Sequence, residues 1–331
     1  MTKNKILKPK ASQGQLVISK ENLIKEYPQA MIFVGIGKGG TGKTTCVFSL
    51  ASYFIRTGKN VLIIDADPTP HATRRAKVID KNNGQLIYPL GIEELLKGKD
   101  ISSFIKPISL KGYRAIDGHN KGKLYLLPGN EAINDVITDY DRNNSFVKGY
   151  KYSEYIEKRI LDGCSVYKID IVLIDTHPVK REFLVNEIFA KMSDYFVLPI
   201  SDIESLERYI EMTNFIRFIN RRDPTVISFL NKNRRFTKNL LKQKDAVDLQ
   251  LTIKEILGKK HCDNVIPEKK SLSHGYKFSG MQNEWSEVAK EIANKIYSSS
   301  VKRIFEDSYK YENEMKELNI AIKKIQKKLR W

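Results

Sequence analysis

The chain is poor in cysteine, short of acidic residues relative to basic ones, and without long apolar runs. Its three cysteines, Cys46, Cys164 and Cys262, lie far apart and form no Cys-x-x-Cys pair. That spacing and odd number speak against a disulfide framework, a zinc site or a cluster site, and fit a reducing cytoplasm. No apolar stretch approaches the ~20 residues of a membrane-spanning helix. The start, Met1-Thr-Lys-Asn-Lys-Ile-Leu-Lys-Pro-Lys10, is basic but lacks the apolar segment of a secretory signal. Internal repeats and low-complexity tracts are missing as well. A folded cytoplasmic protein is expected, since 41% of its 331 residues are hydrophobic and several β-branched runs are present.

The acidic deficit is the strongest compositional signal. Fifty-seven Lys and Arg face 39 Asp and Glu, a net charge of +18, which favours a polyanionic partner, nucleic acid or anionic membrane. The excess is clustered: residues 228–281 hold 12 basic and 5 acidic residues, a net of +7. Its densest part, Asn231-Lys-Asn-Arg-Arg-Phe-Thr-Lys-Asn-Leu-Leu-Lys-Gln-Lys244, puts Lys232, Arg234, Arg235, Lys238, Lys242 and Lys244 forward as DNA contacts. A second cluster, Lys323, Lys324, Lys327, Lys328 and Arg330, follows Glu317 with no acid between.

Along the chain, residues 1–30 are expected to form an extension with one short helix near 19–28. From 31 to 298 strands alternate with helices. The expected strands are Met31–Ile36, Val61–Ile64, Leu124–Leu127, Ile171–Ile174, Tyr195–Leu198, Val226–Leu230 and Val265–Ile266; the clearest helices fall at 180–192, 203–220 and 285–297. Continuous apolar strands between helices predict an α/β fold with a mostly parallel, twisted sheet covered on both faces. Residues 299–331 carry a heptad stripe from Val301 to Leu329, broken by Ser308, which predicts a long basic amphipathic helix packed on the body or on a partner helix.

Gly37-Lys-Gly-Gly-Thr-Gly-Lys-Thr-Thr45 stands directly after the first strand and before a helical pattern through Val47, Leu50, Ala51, Phe54 and Ile55. Gly37, Gly42, Lys43 and Thr44 meet the phosphate-loop pattern. Its glycines, Gly39 and Gly40 included, let backbone N–H groups approach phosphate oxygens. Lys43 is suited to the β- and γ-phosphates and the Thr44 hydroxyl to Mg²⁺, while Thr41 and Thr45 complete the cradle. Lys38 is a second lysine that a generic loop does not need, placed to reach outward to a neighbour's nucleotide. Asp175, ending an apolar strand, suits a Mg²⁺-holding role, and Asp67 or Asp65 the orientation of an attacking water.

These residues carry a resemblance. Lys38-Gly-Gly-Thr-Gly-Lys-Thr-Thr45 resembles the deviant Walker A motif of the ParA/MinD ATPases, Lys-Gly-Gly-x-Gly-Lys-Thr-Thr. Ile64-Asp-Ala-Asp-Pro68 with His71-Ala-Thr73 is similar to the Asp-x-Asp-Pro-Gln-Gly-Asn-Ala-Thr segment of the ParA branch. Asp170–Pro178 resembles its Walker B stretch, Tyr195–Ile200 with Ser205-Leu206 its next strand and helix, and Val265–Gly275 its Ile-Pro-Arg loop. The resemblance spans about residues 31–298. It implies a deviant P-loop fold and an ATPase of slow turnover that uses Mg²⁺, dimerises around ATP and binds DNA non-specifically at the nucleoid. A ParB-like centromere-binding partner would stimulate it, in plasmid or chromosome partition.

By residue match Lys38 would act across the dimer, Asp67 would position water, and Asp65 would support the Mg²⁺ shell. Asn231 and the loop at Pro267 would lie near the adenine. Two departures stand out: Thr69-Pro70-His71 replaces Gln-Gly-Asn, and Thr176-His177-Pro178 stands where Pro-Pro is usual, His177 reading as a substitution in the loop beside the site. A MinD-like membrane-positioning switch, a conjugation or secretion ATPase, and an iron-protein-like reductase are the competing readings; the scattered cysteines oppose the last, and the acids of the tail helix make a membrane partner unlike this chain. Reversing the charges of Arg234, Arg235 and Lys238 is expected to weaken binding to random-sequence DNA by at least tenfold at about 100 mM salt and leave ATP binding intact. Unchanged retention on DNA would remove the patch from the interface.

Overall fold

The computed structural model describes residues 28–35, 38–76, 90–108, 121–136, 149–177, 184–219, 225–231, 250–251, 253–266 and 282–298. In chain order its main elements are β1 (Ala30–Val34), α1 (Lys43–Arg56), β2 (Val61–Ala66), α2 (His71–Ala76), α3 (Ile92–Leu96), β3 (Lys106–Ile108), β4 (Leu124–Leu127), α4 (Gly149–Tyr167), β5 (Ile171–Thr176), α5 (Leu184–Met192), β6 (Tyr195–Ile200), α6 (Ile203–Ile219), β7 (Thr225–Leu230) and α7 (Gln282–Ser298). The expected N-terminal extension, apart from residues 28–30, and the heptad helix at 299–331 lie outside the described residues, as does the basic segment from Lys232 to Lys244.

Seven strands form one sheet in the order β3-β4-β2-β5-β1-β6-β7. All neighbours are parallel except β3, which pairs antiparallel with β4 at the edge. The alternation of the strands sorts their side chains onto two faces. Phe33, Leu62, Ile64, Val172, Ile174 and Phe196 pack under α3 to α6, against Leu95, Ile160, Phe189 and Tyr209. Ile32, Val34, Ile63, Leu173 and Val197 pack on the other face, under α1 and α7, against Leu50, Phe54, Val288 and Ile292. Both faces are dry, which explains why the strands read as unbroken apolar runs. Each fully buried Leu, Ile or Phe contributes roughly 1.5–3 kcal/mol, so the sheet dictates where everything else sits.

Register then sets the geometry of the strand ends. β5 lies between β1 and β2, pairing Val34 with Asp175 on one side and Asp65 with Asp175 on the other. The chain leaves β1, runs through a glycine-rich loop into α1 and returns as β2 two positions away, the kind of crossover that opens a crevice at the carboxyl ends. Helix α1 ends where Gly58, at φ 84°, turns the chain back, its N–H donating to Ile55 O at 3.2 Å.

Several boundaries differ from the sequence expectation. Residues 265–266 are not a strand: among the described residues the 261–266 segment meets β7 through an isolated bridge between His261 and Ser228, with Cys262 N–H donating to Ser228 O at 2.7 Å and Ile266 N–H to Leu230 O at 2.9 Å. β3 was not expected, because Lys106-Pro-Ile108 is short, half exposed and proline-bearing, as suits an edge strand. β6 runs through Pro199 to Ile200; β1 stops pairing at Val197, so the missing N–H of Pro199 leaves no ladder bond unmade. Helix α7 begins at Gln282, three residues earlier than expected.

His261 lies 2% exposed beneath this edge. Its Nε2 is 3.0 Å from Gln250 Oε1 and its Nδ1 2.8 Å from Ser228 Oγ. The carboxamide oxygen can only accept, so Nε2 carries the proton and Nδ1 accepts from the Ser228 hydroxyl. Burial lowers its pKa to about 4. An unfolded chain, whose histidine titrates near ~6.5, takes up a proton that the folded one refuses as pH falls from there to about 4, so stability present above that window is lost within it. Between pH 7 and pH 5 the urea stability of the wild type should fall by about 2 kcal/mol more than that of His261→Gln. Parallel pH profiles in the two proteins would refute the neutral buried state.

Candidate nucleotide site

The loop between β1 and α1 closes on itself through polar contacts. Gly40 and Gly42 have φ of 71° and 91°, a region in which a side chain is strained, and a Cβ on Gly42 would also collide with the Asn231 amide. Gly39 is exposed and Thr41 fully buried. Lys43, 7% exposed as a residue, donates from its ammonium to Lys38 O at 3.0 Å. Burial lowers its pKa, against the pull of Asp175 and then Asp67. Gly37 lies outside the described residues, as does Pro267.

Three carboxylates converge beside that lysine, each almost fully buried: Asp65 at 0%, Asp175 at 1% and Asp67 at 4%. Asp65 Oδ2 accepts from both the backbone N–H and the hydroxyl of Thr73, each at 2.7 Å, and Thr73 in turn accepts from Gly129 N–H at 2.9 Å. Burial, and then the Asp175 charge, still push the Asp65 pKa well up. Asp175 is raised to about 7 by burial, with the nearby Thr44 hydroxyl and Lys43 ammonium opposing the rise. Asp67 Oδ1 accepts from Thr69 N–H at 2.8 Å, a local turn that aims the carboxylate.

Among the described residues, Asp65 Oδ1 and both oxygens of Asp175 are buried without a hydrogen-bond partner. Buried anionic oxygens left this way carry a large desolvation cost. A hard divalent cation relieves it, and the donor set of carboxylates with a Thr44 hydroxyl is all oxygen, as Mg²⁺ requires. The oxygen donors present are therefore of the kind that Mg²⁺ takes.

Other expected residues stand elsewhere. The Lys38 ammonium does not enter the crevice; it pairs with Asp202 Oδ2 at 2.8 Å and Glu204 Oε2 at 2.7 Å. These hydrogen bonds raise its pKa. Asp202 also caps α6, accepting from Ser205 N–H at 2.8 Å while Ser205 Oγ accepts from Asp202 N–H at 2.9 Å. Asn231, expected near adenine, donates from Nδ2 to Thr41 O at 2.5 Å, so its side chain braces the loop. His177 Nε2 is 3.7 Å from Asp67 Oδ1, bringing one of the two departures against the acid cluster. Sequence reasoning missed Arg75, whose Nη1 donates to Thr45 Oγ1 at 3.2 Å. It sits on a short helix with no periodic or motif signal pointing to a site.

A family model described as an AAA domain matches residues 29–232. The chromosome-partitioning ATPase Soj of Thermus thermophilus is 37% identical over 71 residues, 22% of this chain and 25% of that protein. ATPase ASNA1 homolog 2 of Paramecium tetraurelia is 39% identical over 159 residues, 48% of this chain and 43% of that one. The chain thus spans a quarter to under half of these relatives' length. A plasmid partition protein from Borrelia burgdorferi superposes with a TM-score of 0.57 at 20% identity, over 81% of this chain and 99% of that one, a likeness of fold.

Removing the Asn231 brace strands a buried carbonyl. Asn231→Ala is expected to lower the stability of the nucleotide-free protein by about 1–3 kcal/mol in a denaturant titration. A variant as stable as the wild type, but less selective for adenine over guanine nucleotides, would instead put Asn231 on the base.

Proposed function

The chain belongs to the ParA/MinD-type P-loop ATPase family, an AAA-domain model matching its residues 29–232, and on that premise we propose that it is a slow ATPase acting as an ATP-dependent dimer switch on DNA. The observation that carries this reading is the meeting of Lys43, Thr44, Asp65, Asp67 and Asp175 at the carboxyl ends of β1, β2 and β5, with orphaned carboxylate oxygens among them.

In this reading the Lys43 ammonium exchanges the Lys38 carbonyl for the β- and γ-phosphate oxygens of ATP. Thr44 and Asp175 would hold Mg²⁺, which would supply positive charge to the phosphates when bound. Asp67, aimed by the Thr69 N–H, orients a water in line with the γ-phosphorus and takes its proton as the bond to the β-phosphate oxygen breaks. Asp65, fixed by Thr73, would stand behind the residues that hold the cation. The buried walls limit competing water, and the half-exposed His177 beside Asp67 modifies the loop there.

Lys38 acts across the dimer. In the free protomer Asp202 and Glu204 hold its ammonium, and in the ATP-bound pair it turns to the partner's phosphates, so ATP becomes part of the interface. The excess positive charge, with Lys232, Arg234, Arg235, Lys238, Lys242 and Lys244 at its densest point, supports phosphate-backbone binding by the dimer. A centromere-binding protein of the ParB kind is the partner expected to trigger hydrolysis. No helix among the described residues is long and apolar enough to cross a membrane.

The test is DNA retention with Mg-ATP, with Mg-ADP and without nucleotide, alongside the mass of the species by light scattering. The wild type is expected to be dimeric and DNA-bound only with ATP. Lys38→Ala should bind ATP within about threefold of the wild type yet remain monomeric. Dimerisation of Lys38→Ala equal to wild type would contradict the cross-subunit role, and nucleotide-independent DNA binding would contradict the switch.

A further inference from the structure

Helix α2 connects the two halves of the nucleotide site. From its middle, Thr73 fastens Asp65; half a turn further on, Arg75 reaches the first turn of α1. There the guanidinium is fixed twice: Nη1 donates to Thr45 Oγ1 at 3.2 Å, and its carbon lies 4.8 Å from the centroid of the Phe48 ring. A stacked arginine is a preorganised donor, losing little further freedom when it meets an anion. The same charge is close enough to Asp175 to favour its ionised form.

Thr45 is the third residue of α1. Its N–H belongs to the set that a helix start leaves without intrahelical acceptors and turns toward a bound anion. Lys43 and Thr44 serve the β- and γ-phosphates and the cation, so the next position along the helix faces the α-phosphate end of the cradle. A hydroxyl that accepts from Arg75 keeps its own proton free to donate. The contact therefore leaves the Thr45 O–H free to donate and brings a permanent positive charge behind it.

We propose that Arg75 is a positioning residue for the nucleotide, acting through the Thr45 hydroxyl on the α-phosphate shared by ATP and ADP. This rests on the ATPase reading of the site. It differs from the roles of Lys43 and Lys38 in one measurable respect. A group that acts on the α-phosphate holds substrate and product alike, which is uniform binding and appears in KM rather than in kcat. A residue that merely packs on Phe48 would produce no such split.

The experiment uses the full chain, with fluorescent ATP and ADP analogues for binding and steady-state Mg-ATP turnover for kinetics. Arg75→Met keeps an unbranched stem over Phe48 and removes the charge; Arg75→Lys restores a charge without the fork. Arg75→Met is expected to weaken ATP and ADP binding by the same factor, about tenfold, and to raise KM by that factor with kcat lowered less than about twofold. Arg75→Lys should recover part of the loss. Where Arg75→Met does not fold, Arg75→Gln carries the same expectation. The proposal is overturned if the neutral variant binds both nucleotides within about twofold of wild type, if only ATP binding suffers, or if lysine does no better than methionine. A wild type that neither binds nucleotide nor turns over Mg-ATP fails the ATPase reading instead, and Lys43→Ala, expected to lose binding, marks the difference.

Discussion

Three buried carboxylates packed around one buried ammonium are the constraint on which the rest of the structure depends. Asp65 and Asp175 are register partners on neighbouring strands, about 4.8 Å apart along the hydrogen-bonding direction, in a place from which water is excluded. Like charges so close in low dielectric repel strongly, and burial raises both pKa values. No fold keeps such an arrangement for stability alone, since apolar residues of similar volume would pack there at lower cost. The sheet holds it because each acid is fastened separately: Asp65 by Thr73, Asp67 by the Thr69 turn, Asp175 by the strand itself. What remains are orphaned carboxyl oxygens beside a phosphate loop, which burial pushes toward protonation and which a divalent cation would let ionise.

The two lysines of the loop illustrate how position divides one chemistry into two roles. Lys43 points inward, is almost fully buried, and holds its own loop carbonyl. Lys38, five residues earlier, points outward to the start of α6 and is held by two carboxylates that are themselves partly solvated. Such surface pairs are weak and exchangeable. An inward lysine suits a permanent ligand of the phosphates, and an outward one held by exchangeable partners suits a contact that forms only on assembly.

Much of this was legible in the sequence, for a physical reason. The phosphate loop and the Asp-ended strands are local: glycine spacing and unbroken apolar runs specify backbone shape and burial within a few residues. The central strands and the helices α5 to α7 follow from the same periodicities, with differences of up to three residues at ends that lie inside the described residues; the expected start of α5 at 180 lies outside them. What sequence could not supply is tertiary in origin. Asn231 reaches back 190 residues to Thr41, and its role as a brace follows only from the closeness of β7's end to the loop. Arg75 gains its position from the fold of α2 over α1. The segment at 265–266 has strand-like residues but only isolated contacts with β7, while β3 has poor strand residues and a partner. Strand identity at a sheet edge is decided by neighbours more than by composition.

The central claim, that the buried acids form a Mg-ATP site, is tested most directly by the magnesium dependence of ATP affinity in the wild type and in Asp175→Asn. Fluorescent ATP is titrated into each protein with Mg²⁺ and with a chelator. The account predicts that Mg²⁺ tightens ATP binding to the wild type about tenfold or more, and that Asp175→Asn still binds without Mg²⁺ but loses that gain. Equal affinity for the wild type with and without Mg²⁺, or an undiminished Mg²⁺ effect in Asp175→Asn, would contradict it.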